Sequence, residues 1–207
     1  TNLEEALSRN RALAGYDRTN MFVMSWVYEL PFGKGRPVDL GGLANWIAGG
    51  WRINGVYSAY DGTPFTVSAN SNSLNAPGSS QTADQIGELK KIGDVGPGTQ
   101  YYAVESFRDP NFQRPANVYR FGSMGRNSVR GPGFQKVDLA LFKDFRLTER
   151  FVLQFKAESF NFTNTPRFGN PAANVSSMTM SPTGAITNAN NFMAITSASD
   201  ERKFRFG

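Results

Sequence analysis

The amino-acid sequence predicts an all-β fold: an open antiparallel meander of about five long strands, part of a transmembrane β-barrel, with two long outer loops. Three observations predict it. Large apolar and polar residues alternate with period two over runs longer than the ~5 to 6 residues of an ordinary strand. Charged residues stand in the middle of the polar faces. The connections alternate between short and long, as they do between the two sides of a membrane barrel.

Composition excludes several classes of protein. The chain has 207 residues, 40% of them hydrophobic, and no apolar run reaches the ~20 residues of a spanning helix, so a helical membrane protein is excluded. Barrel strands remain possible, because alternation keeps the mean hydropathy low. Cysteine and histidine are absent, which leaves no disulfide, no thiolate metal site and no histidine base. The net charge of +5 comes from scattered basic residues, so no nucleic-acid partner is expected. The sequence shows no signal peptide, so either that peptide was removed or the chain starts partway through a longer protein, and we expect a fragment.

The first half of the chain predicts two strands. Residues 1–17 are polar, with one or two helical turns over 3–13. A strand follows at 18–30, and Pro31 and two glycines end it. Residues 38–50 predict a short helix, and a second strand runs over 51–67 with a bulge or bend at Asp61-Gly62 and Pro64. Residues 68–133 are rich in Asn, Ser, Gly and Pro and predict a long irregular outer loop.

The second half contains the clearest alternation. Strands are predicted at 134–146 and 150–162, joined by a tight hairpin turn at 147–150, with a phase slip after Ser159. A second long loop covers 163–200, and a last strand begins at about 202 and runs to 207. The alternation predicts one shared apolar face for the large residues of these strands: Phe22, Trp26, Ile53, Leu139, Leu141, Leu153 and Phe155.

The two faces predict different surroundings. The mid-strand charges suit a water-filled lumen: Arg52, Asp138, Lys156 and Glu158. The large aromatic residues predict either a sheet core or, as we favour, a girdle at the membrane interface: Trp26, Tyr28, Trp51, Tyr57, Phe160 and Phe162. Lys143 lies on the predicted lipid face near a strand end, where its ammonium can reach the interface.

Four groups of segments resemble those of one family, the Oar-like TonB-dependent receptors. The segments are YDRTN at 16–20 with WVYELPFGKG at 26–35; GGWRING at 49–55 with GTPFTV at 62–67; GRN at 125–127 with RGPG at 130–133 and DLALFK at 138–143; and FNFTN at 160–164 with FGNP at 168–171. The resemblance implies a 22-stranded barrel in the bacterial outer membrane, plugged by an N-terminal domain, that takes up a bulky nutrient such as a carbohydrate or a metal chelate. It also implies outer-membrane lipid as surroundings and the TonB complex as partner, through a plug domain that we expect outside this chain.

No chemical site is predicted. The glycine-rich run at 122–133 lacks the Lys-Ser/Thr of a phosphate loop, and acidic Asp84, Asp94, Glu105 and Asp109 match no calcium-loop spacing. We therefore expect no enzyme, no catalytic residue, no cofactor and no metal, with the extracellular ligand unknown. Two alternatives to transport stay open: a structural or adhesive outer-membrane barrel, and a soluble β-sandwich that binds a ligand.

Overall fold

The computed structural model describes residues 3–74, 80–115 and 118–207, so parts of the predicted loop at 68–133, namely 75–79 and 116–117, lie outside the described residues. The described chain forms two compact units. The sheet unit comprises Asn20–Tyr60, Phe134–Arg167 and Ser199–Gly207. The connection unit comprises Thr1–Thr19, Asp61–Gly133 and Phe168–Ala198.

The strands and helices have the following bounds in chain order. The strands are β1 Met21–Glu29, β2 Trp51–Tyr60, β3 Pro64–Phe65, β4 Ser68–Ala69, β5 Gln81–Thr82, β6 Asp84–Gln85, β7 Phe107–Arg108, β8 Val129–Arg130, β9 Phe134–Arg146, β10 Val152–Phe160, β11 Arg167–Phe168, β12 Thr179–Met180, β13 Ile186–Asn188, β14 Ala198–Ser199 and β15 Lys203–Phe206. The α-helices are α1 Leu3–Asn10 and α2 Gly42–Ala48, and single 3-10 turns cover Ser71–Leu74, Val104–Ser106 and Val175–Ser177. No helix among the described residues is long and apolar enough to cross a membrane.

The sheet unit is one five-stranded antiparallel sheet in the order β1-β2-β9-β10-β15. Each strand pairs with its neighbour along the chain among the long strands, so the sheet is a meander and the prediction of an all-β antiparallel fold is confirmed. The ladders run without a register shift, from Met21 opposite Tyr60 in the first pair to Ala157 opposite Phe206 in the last. Two edges, β1 and β15, have a partner on one side only.

The predicted second strand is divided. Its ladder ends at Tyr60, and Pro64–Phe65 pairs instead with Val129–Arg130 in the connection unit. Asp61 and Gly62 therefore do not form a bulge within one strand. Proline has no N–H to donate, so Pro64 within a long ladder would leave one hydrogen bond unmade. It is tolerated in the two-residue pairing with Val129–Arg130. The slip in the apolar pattern after Ser159 is present, since Phe160 lies opposite Lys203 on the other face from Phe155, but the ladder contains no bulge there.

The connection unit has a hydrophobic core of its own, which corrects the prediction of irregular loops. The core is fully buried at Val67, Phe107, Phe192 and Met193, and the Phe107 and Phe192 rings meet edge to face at 5.4 Å. Short two-residue ladders and 3-10 turns satisfy the backbone between these side chains. The sequence concealed this core because its apolar residues stand singly among Asn, Ser and Gly, without the period of a helix or a long strand.

Candidate functional site

Charge is separated between the two faces of the sheet. Residues opposite each other in a ladder point to the same side, and successive residues alternate. With the observed register, one face carries every charged side chain of the five strands except Lys143: Glu29, Arg52, Lys136, Asp138, Asp144, Arg146, Lys156, Glu158, Lys203 and Arg205. We call this the charged face. It includes the four residues predicted to face a lumen.

The charges on this face are arranged in close pairs of opposite sign. Arg52 on β2 contacts Asp144 on β9 at 3.1 Å, and the Gln154 amide donates to the same carboxylate at 2.8 Å. Lys156 and Glu158 lie 2.7 Å apart on β10. These side chains are partly exposed, so their pairing contributes little stability in water. A paired but solvent-accessible wall can contact a polar solute without burying an isolated charge.

The opposite face is apolar, and we call it the apolar face. The register places all seven residues predicted to share a face on it: Phe22, Trp26, Ile53, Leu139, Leu141, Leu153 and Phe155. Several of these side chains are exposed, among them Phe22 and Leu153. An exposed apolar surface of this kind marks contact with another hydrophobic phase or partner.

Lys143 is the exception on the apolar face, and it is buried. Only 2% of the residue is exposed, and its ammonium donates to the Gly49 carbonyl just after α2. It also lies 5.6 Å from the Trp51 ring and 4.9 Å from the Phe145 ring. The 30–50 connection thus covers this lysine at the strand end, with Trp46 of α2 packed against Phe145 at 5.0 Å. Lys143 is bonded to the backbone and does not extend into the surroundings.

The six aromatic residues predicted for a membrane girdle do not share one face. Trp26, Tyr28, Trp51 and Tyr57 lie on the apolar face. Phe160 is opposite Lys203 on the charged face. Phe162 lies beyond β10 in a turn, where its amide donates to the Val137 carbonyl.

Single residues from the four groups of segments that resemble Oar-like receptors meet at a junction in the connection unit. Arg130 donates to the Asp17 carboxylate at 2.5 Å and to the Gly62 carbonyl at 3.1 Å. A Cβ atom at Gly62 would lie 1.9 Å from the Gly131 carbonyl oxygen, and one at Gly131 would lie 2.0 Å from Oδ1 of Asn170. At least one residue from each of the four groups of segments therefore takes part in these contacts.

The connection unit also contains a polar pocket of about 580 Å³. Its lining comes from four separate segments: Arg9 and Asn10; Thr66 and Ser68; Ser80–Thr82; and Ser123–Arg126. Sequence reasoning missed this pocket, because no spacing along the chain connects these segments. The only local signal was the pair of basic residues, each followed by asparagine, at Arg9 and Arg126.

Next to the pocket, Asp84 is held by a two-pronged ion pair. Both Nη atoms of Arg120 donate to its carboxylate, at 2.8 and 2.7 Å, and the Ser123 amide donates at 2.9 Å. The Arg120 hydrogen bond, followed by that of Ser123, lowers the pKa of Asp84 despite the opposing effect of burial. The carboxylate is thus occupied by protein groups. No cluster of three or more acidic side chains placed to hold a metal ion occurs in the part of the chain that the structure describes.

Comparisons with known proteins give one family. No curated protein and no solved structure matches the chain. The family model described as an outer membrane beta barrel domain matches residues 2–205, which is nearly the whole chain. A barrel of this family has lipid on its outer side and water on its inner side, in agreement with a sheet that has one apolar and one charged face. The chain belongs to the outer membrane beta barrel domain family and is located in the bacterial outer membrane.

Proposed function

We propose that this chain forms part of the wall and outer connections of a TonB-dependent transporter that takes up a bulky nutrient such as a carbohydrate or a metal chelate. The observation that carries the proposal is the separation of charge in the sheet. A transporter wall needs an apolar side toward lipid and a polar side toward the solute, and the charged face carries every charged side chain of the five-stranded sheet except Lys143. The resemblance of four groups of segments to Oar-like receptors supports the finer proposal of a TonB-dependent transporter.

The size and order of the connections also support transport. The two long connections, between β2 and β9 and between β10 and β15, contribute most of the connection unit, which has a core of its own. A folded unit of this kind can recognise a ligand, whereas an irregular loop must lose more conformational entropy on binding. In the proposal, energy comes from the TonB complex through a plug domain outside this chain.

We propose no enzymatic role. The chain has no histidine and no cysteine, the two side chains most readily used as base and nucleophile near neutral pH. The acidic residues of the charged face are paired with basic neighbours, as in Arg52 with Asp144, and these pairs suit a wall better than a reaction centre.

The test is uptake by cells that carry the full-length protein. Deletion of the gene should abolish growth on, or uptake of, one nutrient from a panel of oligosaccharides and metal chelates, and loss of TonB should have the same effect. A structural or adhesive barrel predicts unchanged uptake of every nutrient in both strains. Uptake that needs the gene but not TonB would also contradict the proposal, since it would indicate a passive channel.

A further inference from the structure

The floor of the pocket in the connection unit is built and held in place by hydrogen bonds. Gln81 is 1% exposed, and its amide donates to the Arg120 carbonyl at 3.0 Å. Its side-chain oxygen accepts from the amides of Thr82 and Gly122, at 3.0 and 2.9 Å. The Thr82 hydroxyl donates to the Met124 carbonyl at 2.9 Å. Because these groups are already bonded to one another, a ligand would meet a preorganised surface.

One guanidinium group is fixed on this floor. Nη2 of Arg9 donates to the Thr82 hydroxyl at 3.0 Å and to the Gly122 carbonyl at 2.9 Å, and the group lies 4.3 Å above the Phe121 ring. A guanidinium has five N–H donors, so Arg9 keeps donors that these two bonds do not use. Its orientation is set while part of its hydrogen-bonding capacity stays available.

A second arginine, Arg126, lines the same pocket. It is exposed and makes no hydrogen bond or ion pair within the described ranges 3–74, 80–115 and 118–207. The described lining carries no carboxylate. It adds neutral groups that can donate and accept, among them the Ser80 and Ser123 hydroxyls. The charged side chains of the described lining are therefore all positive.

We infer that this pocket binds an acidic sugar unit, free or at the end of a larger carbohydrate, that carries a carboxylate or phosphate oxyanion. Arg126 binds the oxyanion, for which the planar guanidinium fork is suited, and Arg9 adds its remaining donors. The Ser80 and Ser123 hydroxyls bind the sugar hydroxyls, since the Thr66, Ser68 and Thr82 hydroxyls are bonded to protein groups. A volume of about 580 Å³ lies within the ~300 to 1,000 Å³ of small-molecule sites. That this molecule is the cargo rests on the proposed function, whereas its binding does not.

The experiment measures binding by calorimetry on the full-length protein purified in detergent. The probes are galacturonate for the carboxylate, glucose 6-phosphate for the phosphate and glucose as the neutral control. We expect at least one charged probe to bind at least 10-fold more tightly than glucose. Arg126→Gln should weaken that binding by roughly 10- to 100-fold, the usual effect of losing charge-assisted hydrogen bonds. Arg126→Lys keeps the positive charge and should bind the charged probe more tightly than Arg126→Gln does, but less tightly than the wild type.

The matched control is Arg150→Gln, which removes one positive charge from an exposed turn of the sheet unit. It should leave binding unchanged. Equal affinity for glucose and for both charged probes, no binding of any probe, or equal effects of the Arg126 and Arg150 variants would overturn the inference. If the purified protein binds a charged probe as expected but deletion of its gene leaves uptake unchanged, the binding site is supported and only the transport proposal is rejected.

Discussion

Glycine at position 62 is required by contact rather than by backbone conformation. A Cβ atom there would lie 1.9 Å from a carbonyl oxygen and 2.9 Å from another backbone atom, of Gly131 and Pro132 respectively. Backbone atoms cannot rotate away as a side chain can, so the two chain segments would have to separate. The Arg130 hydrogen bond to the Gly62 carbonyl would then be lost as well.

We predict that Gly62→Ala destabilises the connection unit by about 3 kcal/mol, the upper part of the usual range for overpacking. The matched control is Gly15→Ala, since a Cβ atom there would meet nothing within 4 Å. The measurement is the urea concentration at the midpoint of unfolding of the purified full-length protein, with the circular dichroism of its tyrosines as the signal that monitors unfolding. Equal midpoints for the two variants would show that the close approach at Gly62 is not maintained.

The ion pair of Asp84 gives a prediction about pH. Hydrogen bonds from Arg120 and Ser123 lower the pKa of Asp84, so its ionised form stabilises the folded state at neutral pH. This contribution is complete above the ordinary aspartate pKa of about 3.9 and is lost as the pH falls through the lower pKa of the folded state. Asp84→Asn should therefore cost about 1–2 kcal/mol at pH 7, a modest value because Arg120 is half exposed.

The urea midpoint measured between pH 7 and pH 2 checks this. The difference between the wild type and Asp84→Asn should be constant down to about pH 4 and should shrink below it. Glu201→Gln is a matched control, because that carboxylate is exposed although its pKa is also lowered, first by Lys203. A difference that persists unchanged at pH 2 would mean that Asp84 acts through its shape rather than its charge.

Elements with regular alternation could be predicted from the sequence, and elements without it could not. The bounds 134–146 are those of β9, because large and polar residues alternate there throughout the strand. The predicted strand 51–67 joined two elements, since the alternation resumes after Asp61-Gly62 as if only a bulge intervened. The core of the connection unit and the polar pocket lined by Arg9 depend on contacts between residues far apart in the chain. A single sequence does not show which distant residues will be in contact.

The face assignment predicts opposite results for the same substitution at neighbouring positions of β9. Leu139 lies on the apolar face, and Ala140 lies on the charged face opposite Glu158. Leu139→Arg should harm assembly of the full-length protein, since a charge facing lipid near the midplane costs about 2–4 kcal/mol. Leu153→Arg should do the same, while Ala140→Arg and Lys156→Gln should not.

Folded protein in outer-membrane fractions, compared on gels with and without heating, measures this difference. Four variants on two neighbouring strands keep expression and length matched. If Ala140→Arg assembled as poorly as Leu139→Arg, or if all four assembled like the wild type, the apolar face would not be the lipid face.

At the scale of the whole molecule, the family match confirms the predicted outer-membrane barrel. The five-stranded sheet is an open part of such a barrel. Single-chain bacterial barrels have an even number of strands and at least eight. The five-stranded sheet has two edges: β1, whose nine residues Met21–Glu29 pair on one side only, and the short β15. Further strands must pair with both edges for the barrel to close.

These two edges and the apolar face lead to the last prediction. In water, residues 1–207 expressed alone would expose a row of unpaired backbone groups along β1 together with large apolar side chains such as Phe22 and Leu153. Unpaired edges associate with other chains, and exposed apolar surface adds to the tendency. We therefore expect the chain without detergent to aggregate or to form oligomers. The measurement is size-exclusion chromatography with light scattering, followed by a thermal melt of any soluble fraction. A monomer that unfolds in one sharp transition in detergent-free buffer would contradict the prediction, because the apolar face would then be covered within the chain itself and would not be available to lipid.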